Sequence, residues 1–278
     1  MSNKDYQTAF ELLKPLAQKG ESVAQYNLGV AYANGLGTTQ NYEEAIKWYQ
    51  LAAEQGVLEA QYNLGLIFDN GIGVPHDYKE ALKWYQLAAK QGSMNAQYNL
   101  ASFYSSGEEG VSQDYKEALK WYQLAAEQGD PWAQYNLGNF YGTGEDVAQD
   151  FKEALKWFRL AAEQGHSLAQ FELGAFYEEE NGALQDTKEA AKWYHLAAKQ
   201  GEARAQLNLS LMYAMGKGVE ESPLLAFMWG SLDLENGNEN APKALSFILM
   251  NTKILPSEIE KAEVMAKRCL TSDYKECG

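Results

Sequence analysis

The sequence predicts an all-α fold: a right-handed α/α superhelical solenoid of about six two-helix repeats, closed by helical caps. Three observations carry this expectation. The phrase Ala24-Gln-Tyr-Asn-Leu-Gly29 returns from Ala60 and Ala133 and, with variation, from Ala96, Ala169 and Ala205. Tryptophans keep step with it at Trp48, Trp84, Trp121, Trp157, Trp193 and Trp229, spaced 36, 37, 36, 36 and 36 residues apart. Between these marks the apolar residues recur at helical spacing. A fixed period of this size is the mark of stacked repeats, in which each unit buries its apolar face only against its neighbours.

Each unit reads as two helices. Helix A begins near Val23 and runs to about Asn34, with Ala24, Leu28, Ala31 and Tyr32 on one face; Ala60, Leu64, Ile67 and Phe68 repeat the set. Gly29 and Gly65 permit close helix contact, which outweighs the ~1 kcal/mol that glycine costs inside a helix. Glycines follow at Gly35 and Gly37, Gly71 and Gly73, Gly216 and Gly218, where a helix end must turn with positive φ. A phosphate cradle would need a strand before these glycines; a helix precedes them, so they read as turns. Helix B opens with Asp77 and Glu80, a pair repeated as Asp114/Glu117, Asp150/Glu153 and Asp186/Glu189. This spacing is a capping box, in which each side chain satisfies a backbone amide of the first turn. Recurrence in successive units favours capping over catalytic carboxylate pairs. Ala45, Trp48, Tyr49 and Ala52 share the buried face of helix B. The helix ends at Gln55-Gly56 and its counterparts, with glycine as the cap.

The repeats occupy residues 1–237, with an orphan first helix over about 5–20 and full repeats from 21 to 237. Residues 238–278 read as capping helices and a tail, two helices falling between about Asn240 and Leu270, the second opened by Pro256. Local departures are one extra residue in Ser106–Val111, a longer acidic helix end over Glu178–Gly182, and Ser210 where glycine is expected.

Ala60, Leu64, Gly65, Phe68, Gly71, Gly73, Ala81, Trp84, Tyr85, Ala88, Ala89 and Gly92 together resemble the Sel1-like repeat (SLR) family, a relative of the tetratricopeptide repeat. The resemblance covers roughly residues 5 to 237. It implies a superhelix used as an adaptor, often in bacterial signalling, secretion, envelope processes or host interaction. Some members of the family are stapled by a disulfide in every repeat and exported. This chain lacks those cysteines, which argues against that subgroup and against the penicillin-binding activity associated with it.

The net charge is −15, from 23 Lys and Arg against 38 Asp and Glu. That balance repels nucleic-acid phosphates and favours a basic or neutral partner. No apolar run is long enough to span a membrane, and no apolar stretch of signal-peptide type follows Met1. Cys269 and Cys277, both in the last ten residues, read as free thiols on a cytosolic tail. The expected location is therefore cytoplasmic, with export lacking an N-terminal signal as the alternative. Catalysis finds no support: His76, His166 and His195 have no companions at metal-ligand spacing, and no HExxH motif or nucleophile elbow appears. No enzyme activity, cofactor or metal is expected.

The candidate binding residues are those that the core does not need. Counting from the first Ala of each helix A, offsets 2, 6 and 9 are expected to oppose the core face and line the concave groove, as in the related tetratricopeptide fold. Offset 2 gives Tyr26, Tyr62, Tyr98, Tyr135, Phe171 and Leu207, an aromatic ladder of the kind that anchors interfaces. Offset 6 includes Asn139, and offset 9 includes Asp69 and Glu178, which with Glu179 and Glu180 form an acidic set suited to a basic segment. Trp132 is the one tryptophan off the repeat register. The expectation is a monomeric scaffold that binds a protein or peptide through Tyr62, Tyr98, Trp132, Tyr135, Phe171, Asp69, Asn139 and Glu178. The alternatives are an immunity-type partner that neutralises a toxin, and a translocated bacterial effector acting on host proteins.

Overall fold

The structure, a computed structural model, describes residues 3–107, 110–144, 148–178 and 186–277. These residues form fifteen α-helices and no strand, the all-α repeat fold expected from the period. They fall into two compact units, Met1–Ala133 and Gln134–Gly278. The first unit carries α1 (Asn3–Gln18), α2 (Ser22–Asn34), α3 (Tyr42–Glu54), α4 (Leu58–Asn70), α5 (Tyr78–Lys90), α6 (Met94–Ser106) and α7 (Tyr115–Glu127). The helix α8 (Pro131–Thr143) begins at its end. The second unit carries α9 (Phe151–Glu163), α10 (Ser167–Glu178), α11 (Thr187–Ala198), α12 (Ala203–Met215), α13 (Pro223–Glu235), α14 (Ala241–Asn251) and α15 (Pro256–Thr271).

Helices A (α2, α4, α6, α8, α10, α12) alternate with helices B (α1, α3, α5, α7, α9, α11, α13). The offset-4 leucines Leu28, Leu64, Leu100, Leu137, Leu173 and Leu209 are all fully buried, each contributing about 2–3 kcal/mol of apolar burial. In the first unit, Leu64 and Ile67 of α4 share one cluster with Ala45, Ile46, Ala52 and Ala53 of α3. A helix A packs more extensively on the helix B of its own repeat than on the one before it.

A buried polar spine recurs within each unit. Gln61 donates to the Ala53 carbonyl (3.0 Å) and accepts from Gln91 (2.7 Å). Gln25 and Gln55, and Gln97 and Gln128, repeat this in the first unit. Gln170 and Gln200 do so in the second. Each offset-1 glutamine is at most 4% exposed, so its amide makes its bonds in a dry setting where leaving them unmade is costly.

Each helix B starts as the sequence indicates, with one correction. Asp77 accepts from Glu80 N (3.0 Å), and Asp114, Asp150 and Asp186 accept likewise from the glutamate three residues on. The reciprocal half of the expected capping box does not form. The Asp77 N–H already donates to the Phe68 carbonyl (3.0 Å), and Asp114 N–H to that of Tyr104 (2.8 Å). The N3 glutamates pair instead with a lysine one turn on: Glu80 with Lys83 at 3.1 Å, Glu117 with Lys120 at 3.2 Å.

The last repeat departs from the pattern in a coordinated way. Ser210 stands where Gly29 stands in the first repeat, and Gly230 where Tyr49 stands. With no ring to receive, the serine fits. Leu245 of α14 fills the vacated space, lying 2.9 Å from where a Gly230 Cβ would be.

The cysteines correct the sequence expectation. Cys269 and Cys277 are paired as a disulfide, with Cα atoms 4.6 Å apart, and both are buried. Asp273 and Tyr274 adopt positive φ of 52° and 60°. These two residues reverse the chain after α15 and fold the tail back onto it. Tyr274 then donates to Asn236 Oδ1 (2.8 Å), and Asn236 donates to Gln206 (2.8 Å), so the tail closes the glutamine spine.

Candidate protein-binding face

The structure corrects where offsets 2, 6 and 9 point. Tyr26, Val30 and Ala33 pack against the cluster formed by Ala45, Tyr49 and Ala52 of their own helix B. Ring centroids lie 5.9 Å apart in Tyr26–Tyr49, 6.0 Å in Tyr62–Tyr85 and 5.8 Å in Tyr98–Tyr122. In the second unit Tyr135–Phe158 and Phe171–Tyr194 pair at 5.9 and 5.6 Å. The reason is that a helix A lies between two helices B, so its apolar arc is wider than one stripe. The offset-2 rings are half-buried rather than free.

Burial pushes the Tyr26 and Tyr62 phenols up and that of Tyr49 to about 12, so all stay protonated near neutrality. The Asn63 side chain, at offset 3 of the next repeat, opposes this rise at Tyr26 and Tyr49, as an amide N–H facing a phenol oxygen does. Asn99 acts likewise on Tyr62 and Tyr85, and in the second unit Asn208 on Tyr194.

The face of helix A that remains open carries offsets −1, 3 and 10. In the first unit it presents Val23, Asn27 and Asn34, then Glu59 and Asn70, with Asn63 half-buried between them. Trp132 belongs to this face at offset −1 and is 52% exposed. Asn139, at offset 6 of α8, is half-buried. The asparagines at offset 3 were missed in the sequence reading. Their signal was present: a polar residue recurring where the core asks for nothing.

The second unit departs from this pattern. Phe171 and Glu172 stand where the first four repeats carry Tyr and Asn, and Leu207 replaces the tyrosine of the sixth. Arg204, at offset −1, lies over the Phe171 ring at 4.1 Å and pairs with Glu172 (3.4 Å) and Glu202 (2.7 Å). Burial raises the Glu172 carboxyl, against the opposing pull of Arg204.

The acidic set is largely committed within the chain. Asp69 accepts from Tyr85 Oη (3.0 Å). Glu178 accepts from Tyr194 Oη (2.8 Å) and pairs with Lys217 (3.3 Å). Glu179 and Glu180 lie outside the described residues. The histidines have local roles. His76 Nδ1 meets the Asp69 carbonyl (2.7 Å), and His166 receives the Ala169 N–H at the start of α10 (3.2 Å) while stacking on Tyr135. His195 meets Trp229 edge-on, and burial lowers its pKa. Among the described residues no three His, Cys, Asp or Glu side chains converge as a metal site would need. No described helix is long and apolar enough to cross a membrane.

The Sel1 repeat pattern matches residues 2–21, 22–57, 58–93, 95–130, 133–166, 167–202 and 203–232. The chain belongs to the Sel1 repeat family. Sel1 repeats are protein–protein interaction scaffolds and are typically non-enzymatic. A protective antigen present in uropathogenic Escherichia coli strains, displaying an SLR fold, superposes with a TM-score of 0.82 at 32% identity over 98% of this chain. This chain spans 58% of that structure's length. A Sel1 repeat protein from Oxalobacter formigenes matches 83% of this chain and 92% of its own, at 36% identity and a TM-score of 0.68. An immunity protein from Pseudomonas aeruginosa, at 24% identity and a TM-score of 0.42, is too distant to bear on the function of this Sel1-repeat chain. No curated protein matches the sequence.

Proposed function

We propose that this Sel1-repeat chain is an adaptor that holds a segment of a partner protein along the open face of its helices A. One observation carries the reading. In the first unit, tyrosine pairs packed with ring centroids 5.9 and 6.0 Å apart, Tyr26–Tyr49 and Tyr62–Tyr85, brace each helix A on its helix B, so the open face is held in place before a partner arrives. Preorganisation of this kind lowers the ordering cost of binding. Trp132, more than half exposed, supplies an aromatic anchor of the type that dominates interface energetics. The net charge of −15 favours a partner with a basic segment and a salt-sensitive association rate.

The decisive experiment is calorimetric titration of a partner recovered with the wild-type chain. Trp132→Ala is expected to weaken binding by about 2 kcal/mol with an unchanged melting temperature, and Asn63→Ala to weaken it further. Equal affinities for wild type and both variants would move the site off this face.

The disulfide bears on location. Such bonds persist in oxidising compartments and are rare in the cytosol, so the Cys269–Cys277 pair supports export in place of a cytoplasmic home. Thiol labelling of the chain in intact cells of its source tests this: two reactive thiols would return it to the cytoplasm.

A further inference from the structure

One helix B is cut back at a position where all the others are large. Ala191 is the fifth residue of α11. Its counterparts in the other helices B are Phe10, Ile46, Leu82, Leu119, Leu155 and Phe227. One turn on, a polar bridge is missing as well. Gln86 of α5 donates to the Tyr104 hydroxyl of α6 (2.9 Å), and Arg159 of α9 to the Tyr177 hydroxyl of α10 (2.8 Å). The counterparts of these pairs are His195 and Tyr213. His195 meets Trp229 edge-on instead, and the Tyr213 hydroxyl has no hydrogen-bond partner among the described residues.

Both changes open the same space. A pocket of about 550 Å³ lies there, between α11, α12 and the loop at Gly218 and Val219, within the size range of small-molecule sites. Ala191, Val219 and the fully buried Leu209 give it an apolar floor. The loop wall is fixed, since a Cβ on Gly218 would collide with the Thr187 carbonyl. Lys188 and Lys192, both exposed, stand at the rim. Lys192 is paired with Glu189 (2.6 Å), whereas Lys188 has no ion pair among the described residues. Burial raises the Tyr213 phenol, which keeps it a donor near neutrality. The pocket therefore combines one uncompensated cation, one spare donor and an apolar floor.

We propose that this pocket binds a small organic acid, its single carboxylate held by Lys188 and the Tyr213 hydroxyl and its apolar body lying on Leu209 and Val219. A dianionic head such as phosphate fits less well, because Glu189 already neutralises the second lysine. The net charge of −15 does not prevent binding, since ~0.1 M salt screens exposed charges more than about 10 Å away. The site lies on the core side of α12 and is independent of the open helix A face described above.

The probe is 3-phenylpropionate, titrated into the full chain by calorimetry and by NMR of its three histidine rings. Saturable binding is expected, with the His195 signals moving and those of His76 and His166 unmoved. Ala191→Leu installs the residue that α5, α7 and α9 carry, so the variant should fold, and by filling the space it should weaken binding about tenfold. Lys188→Gln changes an exposed side chain and should weaken binding about threefold. The neutral analogue 3-phenylpropan-1-ol should bind wild type more weakly than the acid does, and this preference should shrink in Lys188→Gln. The cationic analogue 3-phenylpropylamine should not compete. Absence of saturable binding, an Ala191→Leu variant that binds the acid as tightly as wild type, or an alcohol or amine that matches the acid would each overturn the proposal.

Discussion

Gly29 and Tyr49 are fitted to each other: a Cβ on the glycine would lie 2.6 Å from Tyr49 Cδ1. The pairing recurs as Gly138 with Phe158 and Gly174 with Tyr194. Where the third repeat carries Ala101, the Tyr98 and Tyr122 rings open to 59°, against 38° for Tyr26 and Tyr49. Gly29→Ala should therefore cost about 1 kcal/mol in urea denaturation. Overpacking of 1–3 kcal/mol is partly offset by the ~1 kcal/mol gain in helix propensity. In a Tyr49→Leu background the sign should reverse. A stabilising Gly29→Ala in the wild-type chain would show that the ring is not held.

The glutamine spine ranks two substitutions. Gln61 is 4% exposed and bonds both the Ala53 carbonyl and Gln91, whereas Gln91 is exposed. Gln61→Ala should cost about 2–3 kcal/mol, because it strands buried groups, and Gln91→Ala about 1 kcal/mol. Chemical denaturation of the two variants decides; the opposite order would refute the spine as a stabilising element.

Trp84 and Trp121 occupy the same repeat position with different polar endings. Trp121 Nε1 donates to Glu117 (3.1 Å); Trp84 Nε1 is buried with no partner among the described residues. Trp84→Ala should cost about 3–5 kcal/mol. Trp84→Phe removes an unsatisfied donor and should be milder than Trp121→Phe by about 1 kcal/mol. Equal losses for the two phenylalanine variants would count against this account.

Reduction tests the tail. The disulfide closes a segment of 8 residues and holds Tyr274 against Asn236. Cys277→Ser, or a reductant, should lower stability by about 2 kcal/mol, read as a fall in melting temperature. An unmoved transition would make the staple irrelevant to folding.

The helices and their boundaries were legible because each repeat states its period and its Asp caps locally. The second face of helix A was not. A single apolar stripe shows one neighbour, and Tyr26 at offset 2 reads as outward until Tyr49 is seen beneath it. Nothing in residue type marks Gln25 and Gln61 as buried, since only the packed array shows the carbonyl each one satisfies. The tail was illegible for another reason. Its reversal depends on left-handed backbone at Asp273 and Tyr274, neither of which is a glycine that would announce it.

Asp233 makes stability depend on pH. It stands on α13 where Ala52 stands on α3, and it is fully buried. Burial pushes its carboxyl up to about 6, with the Asn238 side chain opposing. An unfolded aspartate titrates near ~3.9. Between about 4 and 6 the folded chain therefore holds a proton that the unfolded chain has lost. The contribution of this group is most favourable below ~4 and declines as pH rises through 6. Above that, the folded state carries a buried carboxylate at a cost on the order of 2–3 kcal/mol. Asp233→Asn removes the titration while keeping the shape. The variant should be more stable than wild type by about 2 kcal/mol at pH 7.5 and indistinguishable from it near pH 4, read from urea midpoints across that range. A difference that stays constant with pH would mean that Asp233 is charged in the folded chain throughout, with a partner that offsets its burial.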